Sequence, residues 1–92
     1  MTTLVLPATL THDQATACSR MLGQAVRAMG DGQAVADASA LERFDSSALA
    51  VLLEARRETL ALGKAFTVHR LPDRLRRLAQ LYGVDALLTE SA

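Results

Sequence analysis

A carboxylate and two adjacent hydroxyls, Asp45, Ser46 and Ser47, run straight into an apolar helical pattern in the stretch FDSSALAVLL, residues 44–53. At a helix start, an Asp or Ser oxygen accepts a hydrogen bond from a backbone N–H that has no helical partner. That role accounts for one of the three residues and leaves two. The same N-terminus carries partial positive charge and free donors, so a phosphoryl group or a partner's carboxylate would be stabilised there. Phosphorylation of Ser46 would add about two negative charges beside Asp45 and near Asp37, which would repel a partner or order a loop. Such a site is a switch without catalysis.

Enzymatic readings find little support. His12 and His69 fall in different elements, and neither has a second histidine or a cysteine at ligand spacing, so no metal or cofactor is implied. Ser46 or Ser47 with His69 can be drawn as a dyad, yet no spacing supplies the rest of a hydrolytic site. The GDG at 30–32 ends a helix and precedes a strand, the reverse of a phosphate loop.

The basic residues are unevenly placed. Between Glu54 and Arg77, seven of them (Arg56, Arg57, Lys64, Arg70, Arg74, Arg76, Arg77) face Glu54, Glu58 and Asp73. This gives the second half a surface for an acidic partner, with Arg70, Arg74 and Arg77 as candidates. The plain alternative is the solvated face that any surface helix needs. Over the whole chain ten basic and ten acidic residues cancel, which removes the electrostatic case for nucleic acid.

These groups must be positioned by one domain, since 92 residues close a single core. Half the residues are apolar but only two Phe and one Tyr are present, so the core is Leu, Ala and Val, suited to helices on a small sheet. The lone Cys18 makes no internal disulfide and fits a reducing compartment; with Met21 and Met29 it reads as a core filler. The longest apolar run, Ala48 to Leu53, is far too short to cross a bilayer, so the expectation is a soluble, cytoplasmic protein without direct membrane insertion.

Periodicity orders the elements. Leu4 to Leu6 alternate in a short strand stopped by Pro7. Thr11 and Gln14 have capping-box spacing, and Ala15, Cys18, Leu22, Ala25 and Met29 recur at helical intervals, predicting a helix over 12–29. A buried strand around Val35 delivers Asp37 into a loop. A second helix follows to about Leu62, with Leu49, Leu52, Leu53, Ala55 and Leu60 on its apolar side and Gly63 at its end. Phe66 and Val68 mark a third strand. Pro72 opens the last helix, whose inward stripe is Leu75, Leu78, Ala79 and Tyr82; after Gly83, Val84, Leu87 and Leu88 fold back as a final turn. Alternation of this kind predicts an α/β domain with a mostly parallel sheet of three to four strands. In such folds ligands meet the C-terminal strand ends, which puts Thr11, Asp45–Ser47 and the 70–73 corner on one rim.

With that order in view, Asp37-Ala38-Ser39 followed by Asp45-Ser46-Ser47-Ala48-Leu49 resembles the STAS domain family, whose hallmark is a strand ending in Asp-Leu-Ser and a helix opening with Asp-Ser-Ser-Gly-Leu. The resemblance runs from about residue 3 onward. It implies that Ser46 occupies the position of the phosphorylatable serine of anti-sigma-factor antagonists and of a partner-engaging threonine in Mla-type phospholipid-transport subunits. The end RLRRLAQLYGVDALL is similar to the latter. The resemblance therefore implies a non-catalytic adaptor that binds the cytoplasmic ATPase of a phospholipid ABC transporter and lies peripheral to the inner membrane through it. Asp37, Asp45, Ser46, Ser47 and Leu49 would form the contact or switch. The alternative is an antagonist of an anti-sigma-factor kinase, switched at Ser46. Three departures stand out: Ala48 replaces a glycine and would hinder close approach, Pro7-Ala8 replaces a small-residue corner, and the usual leading strand is missing. The last leaves a sheet edge open, through which a homodimer could form.

Overall fold

The computed structural model describes residues 1–30 and 32–91. Its elements are β1 (Thr2–Val5), β2 (Thr9–Leu10), α1 (His12–Ala28), β3 (Gln33–Asp37), β4 (Arg43–Phe44), α2 (Ser47–Ala61), β5 (Ala65–His69), α3 (Asp73–Leu81) and a 3-10 turn at Asp85–Leu87. The main sheet is parallel in the order β1-β3-β5, with Leu4 opposite Ala36 and Ala36 opposite Val68. This is the alternating α/β architecture the periodicity predicts.

Strand alternation sorts the side chains by face. Leu4, Ala34, Ala36, Phe66 and Val68 join one buried cluster with Cys18, Leu22 and Val26 of α1, Leu49, Leu52 and Ala55 of α2, and Leu75 and Ala79 of α3. All three helices therefore pack on one side of the sheet. The opposite face carries the exposed Thr3, the half-buried Gln33, Asp37, Thr67 and His69, and Val35, which is buried. Strand β1 lies at one edge; the other edge, β5, is covered by the tail, where Val68 N–H donates to the Thr89 carbonyl at 2.8 Å and Ser91 N–H to the Val68 carbonyl at 2.8 Å.

Four residues assigned to the interior by spacing lie outside it. Met21, Leu60, Tyr82 and Leu87 are 53%, 44%, 58% and 39% exposed. In the last turn of α2 the inward position is taken by Thr59, fully buried, which turns Leu60 outward; Tyr82 is the cap just past the end of α3, and Met21 precedes Leu22 and takes the solvent side. A second, two-stranded parallel sheet, β2 with β4, has no counterpart in the periodicity, because two residues cannot establish a period. The helix expected to grow directly from FDSSALAVLL starts at Ser47, with Arg43 and Phe44 spent on β4. Of the GDG that ends α1, Asp31 lies outside the described residues.

Candidate functional site

The C-terminal ends of β2 and β4 bring the starts of α1 and α2 side by side, and Asp45 joins them. One carboxylate oxygen accepts the Ser47 N–H at 2.8 Å; the other accepts the His12 N–H at 3.1 Å. Two helix starts thus share one cap. The amide of Ser47, then that of His12, holds the Asp45 carboxyl below the usual aspartate range. Helix α1 also satisfies itself: Gln14 Oε1 accepts the Thr11 N–H at 3.0 Å and its hydroxyl at 2.6 Å.

With Asp45 occupying the capping role, Ser46 is released from it. Ser46 is exposed, its backbone is already helical (φ −62°, ψ −16°), and its hydroxyl caps nothing. Its carbonyl accepts the Leu49 N–H at 3.1 Å, so the backbone is fixed while the side chain is free. Ser47 is half-buried.

Leu49, included in the contact set by resemblance, is 3% exposed and belongs to the core. It anchors the first turn of α2 from beneath and presents nothing to a partner. Ala48 is fully buried as well. Its methyl points into the core, so it does not obstruct an approach to Ser46, contrary to the expectation from the missing glycine.

Asp37 ends β3 on the helix-free face, where it pairs in register with His69, and its carboxylate accepts the Ser39 N–H at 2.9 Å. Hydrogen bonding from the Ser39 hydroxyl and amide keeps its carboxyl low, with His69 and Arg70 adding to the effect. Among the described residues no hydrogen bond joins Asp37 to residues 45–47. His69 Nδ1 stands 3.5 Å from Ser91 Oγ, so the hydroxyl beside it is not the one drawn in the dyad with Ser46.

The three candidate arginines separate. The Arg74 guanidinium lies 4.5 Å from the centre of the Phe44 ring and reaches the Phe44 carbonyl at 3.5 Å, which sets it next to Asp45. Arg70 turns the chain after β5 in the left-handed conformation (φ 56°) and is exposed. Arg77 is exposed and enters no ion pair among the described residues.

Arg76, between them, does something spacing did not single out. It pairs with Asp73, donates to both carboxylate oxygens of Glu90 at 2.8 and 2.7 Å, and donates to the Leu71 carbonyl at 3.1 Å. Hydrogen bonding to Glu90, then to Asp73, raises its pKa further above the ordinary arginine value. It straps the tail to the fold. The Asp73–Arg76 half was readable from the three-residue spacing, but Glu90 is 14 positions away.

A family model described as Mlab, STAS domain matches residues 2–89. The chain belongs to this STAS family. Solved STAS structures agree with the fold. An anti-sigma-factor antagonist (STAS) domain protein from Planctomyces limnophilus superposes with a TM-score of 0.77 at 14% identity, over 94% of this chain and 77% of that one. The anti-sigma-factor antagonist SpoIIAA in its unphosphorylated form gives 0.73 at 16% identity, over 99% and 81%. No curated protein matches. Among the described residues of this STAS domain, no helix is long and apolar enough to cross a membrane, and no group of three or more His, Cys, Asp and Glu is placed to hold a metal ion.

Proposed function

We propose that this STAS domain is a non-catalytic adaptor that docks on the cytoplasmic ATPase of an ABC transporter for phospholipids, with Ser46 at the centre of the contact. The observation that carries the reading is the division of labour at the start of α2. Asp45 satisfies the helix ends, and Ser46 is left exposed on a fixed backbone with an unengaged hydroxyl. A rigid, exposed donor and acceptor beside a stacked arginine suits a protein contact and lacks the partners a nucleophile needs. The description of the matching family model, Mlab, STAS domain, is in keeping with the transporter reading. Binding to the ATPase would hold the domain at the cytoplasmic face of the inner membrane.

A second reading, an anti-sigma-factor antagonist switched by phosphorylation of Ser46, draws on the same free hydroxyl and on the likeness to SpoIIAA. Ala48 does not weigh against it, being buried. Affinity purification from the native host, with intact-mass measurement of the bait, separates the two. The adaptor reading expects co-purifying ATPase, an unmodified bait, and at least about tenfold weaker ATPase binding for Ser46→Asp. Recovery of a kinase with a phosphorylated bait and no ATPase would reverse the order.

A further inference from the structure

The exposed side of α3 combines charge and apolar surface in one line. With 100° between successive residues, Arg74, Arg77 and Leu81 fall within about 60° of one another, with Leu81 between the two arginines. Leu75 and Ala79 point the opposite way, into the core. Leu81 is 77% exposed, and the adjoining Tyr82 and Leu87 are also uncovered. A single exposed leucine is ordinary, but a leucine flanked on the same helix face by two cations without ionic partners has the composition of a contact surface.

The charges on this line are not spent internally. Arg76, on another side of the helix, is matched by Asp73 and Glu90. Arg77 has no ionic partner among the described residues, and Arg74 rests only on the ring and carbonyl of Phe44. Through Phe44 the line is continuous with Asp45 and Ser46, so a body seated on the α2 start lies beside α3 as well.

We infer that the stripe Arg74–Arg77–Leu81 is a second part of the docking surface and takes an acidic amphipathic segment of the partner ATPase. Carboxylates of that segment meet the two guanidinium groups, and an apolar side chain between them covers Leu81. The charge complementarity selects an acidic protein segment; the continuity with Ser46 selects the same partner. This inference rests on the adaptor reading and extends it.

Calorimetric titration of the full chain with the ATPase of the same host tests it. Arg77→Glu is expected to weaken binding by about tenfold or more and to reduce its salt dependence, while Leu81→Ser weakens it by a similar factor with the salt dependence kept. Both positions are exposed, so the thermal midpoint stays near that of the parent. Reversing one acidic residue of the ATPase segment to lysine restores binding to Arg77→Glu. Parental affinity in both variants overturns the inference and leaves the adaptor reading intact, provided Ser46→Asp still weakens binding. Uptake of the protein by phosphatidylglycerol vesicles that depends on Arg77 and Leu81, with ATPase affinity unchanged, assigns the stripe to a membrane and also overturns it. If the parent protein does not bind the ATPase at all, the adaptor reading falls, and this inference with it.

Discussion

The start of α2 and the strap that holds the tail on β5 are made from the same kinds of group and end in opposite states. At the strap, Arg76, Asp73, Glu90 and the Leu71 carbonyl saturate one another, and the tail backbone closes onto Val68. At the α2 start, Asp45 alone meets the backbone's needs and a serine and an arginine beside it remain available. Density of charge in the sequence does not distinguish these cases. Arg76 sits in the middle of the most basic run of the chain, yet it is the arginine least able to meet a partner.

The comparison can be broken most severely from beneath. Leu49→Ala removes core volume under the first turn of α2 and should cost about 2–5 kcal/mol, read as a lower urea midpoint. Partner affinity of the remaining folded molecules should stay near that of the parent. Loss of binding by a fully folded variant would mean that Leu49 acts at the surface after all.

A smaller effect is expected from Asp45→Asn. The folded-state pKa of Asp45 is depressed, so its contribution to stability is complete above the unfolded-state value, near pH 4, and disappears as pH falls through the folded value. The variant should be less stable at neutral pH, and the parent should lose its advantage over it on acidification. Thermal midpoints of both proteins from pH 7 to pH 2 check the sign. A difference that is constant with pH would assign the Asp45 effect to something other than its charge.

The smallest effect belongs to the strap. Arg76→Ala should leave the midpoint nearly in place and speed amide exchange at Val68 and Ser91, whose N–H groups face the tail backbone pairing. Exchange around Leu49 should not change. Faster exchange there would couple the strap to the α2 start and erase the contrast.

Element order was legible because Leu22, Val26, Leu52, Leu75 and their neighbours repeat at helical intervals and the strands are bounded by Pro and Gly. Pairing was legible only as a class: alternation predicts parallel strands but not the order β1-β3-β5, while β2 and β4 are too short to leave a periodic trace. Solvent exposure of Leu60 was hidden because the buried position of its turn is the polar Thr59, which an apolar pattern does not pick out. The rim itself was readable as Asp-Ser-Ser before an apolar run. What each of its oxygens does was not, since the second acceptor role of Asp45 falls on His12, 33 positions earlier.

That shared carboxylate has a mechanical consequence. It ties α1 to α2 at one end; farther along, Arg27 grips Glu58 at 3.1 Å, and Lys64, just past α2, donates to the Met29 carbonyl at 2.9 Å. The two helices are therefore joined near both ends, by a shared carboxylate at one and by cationic side chains at the other. Helix α2, about 22 Å long for its 15 residues, is thus held to its neighbour at the rim that bears Ser46 and again at its far end.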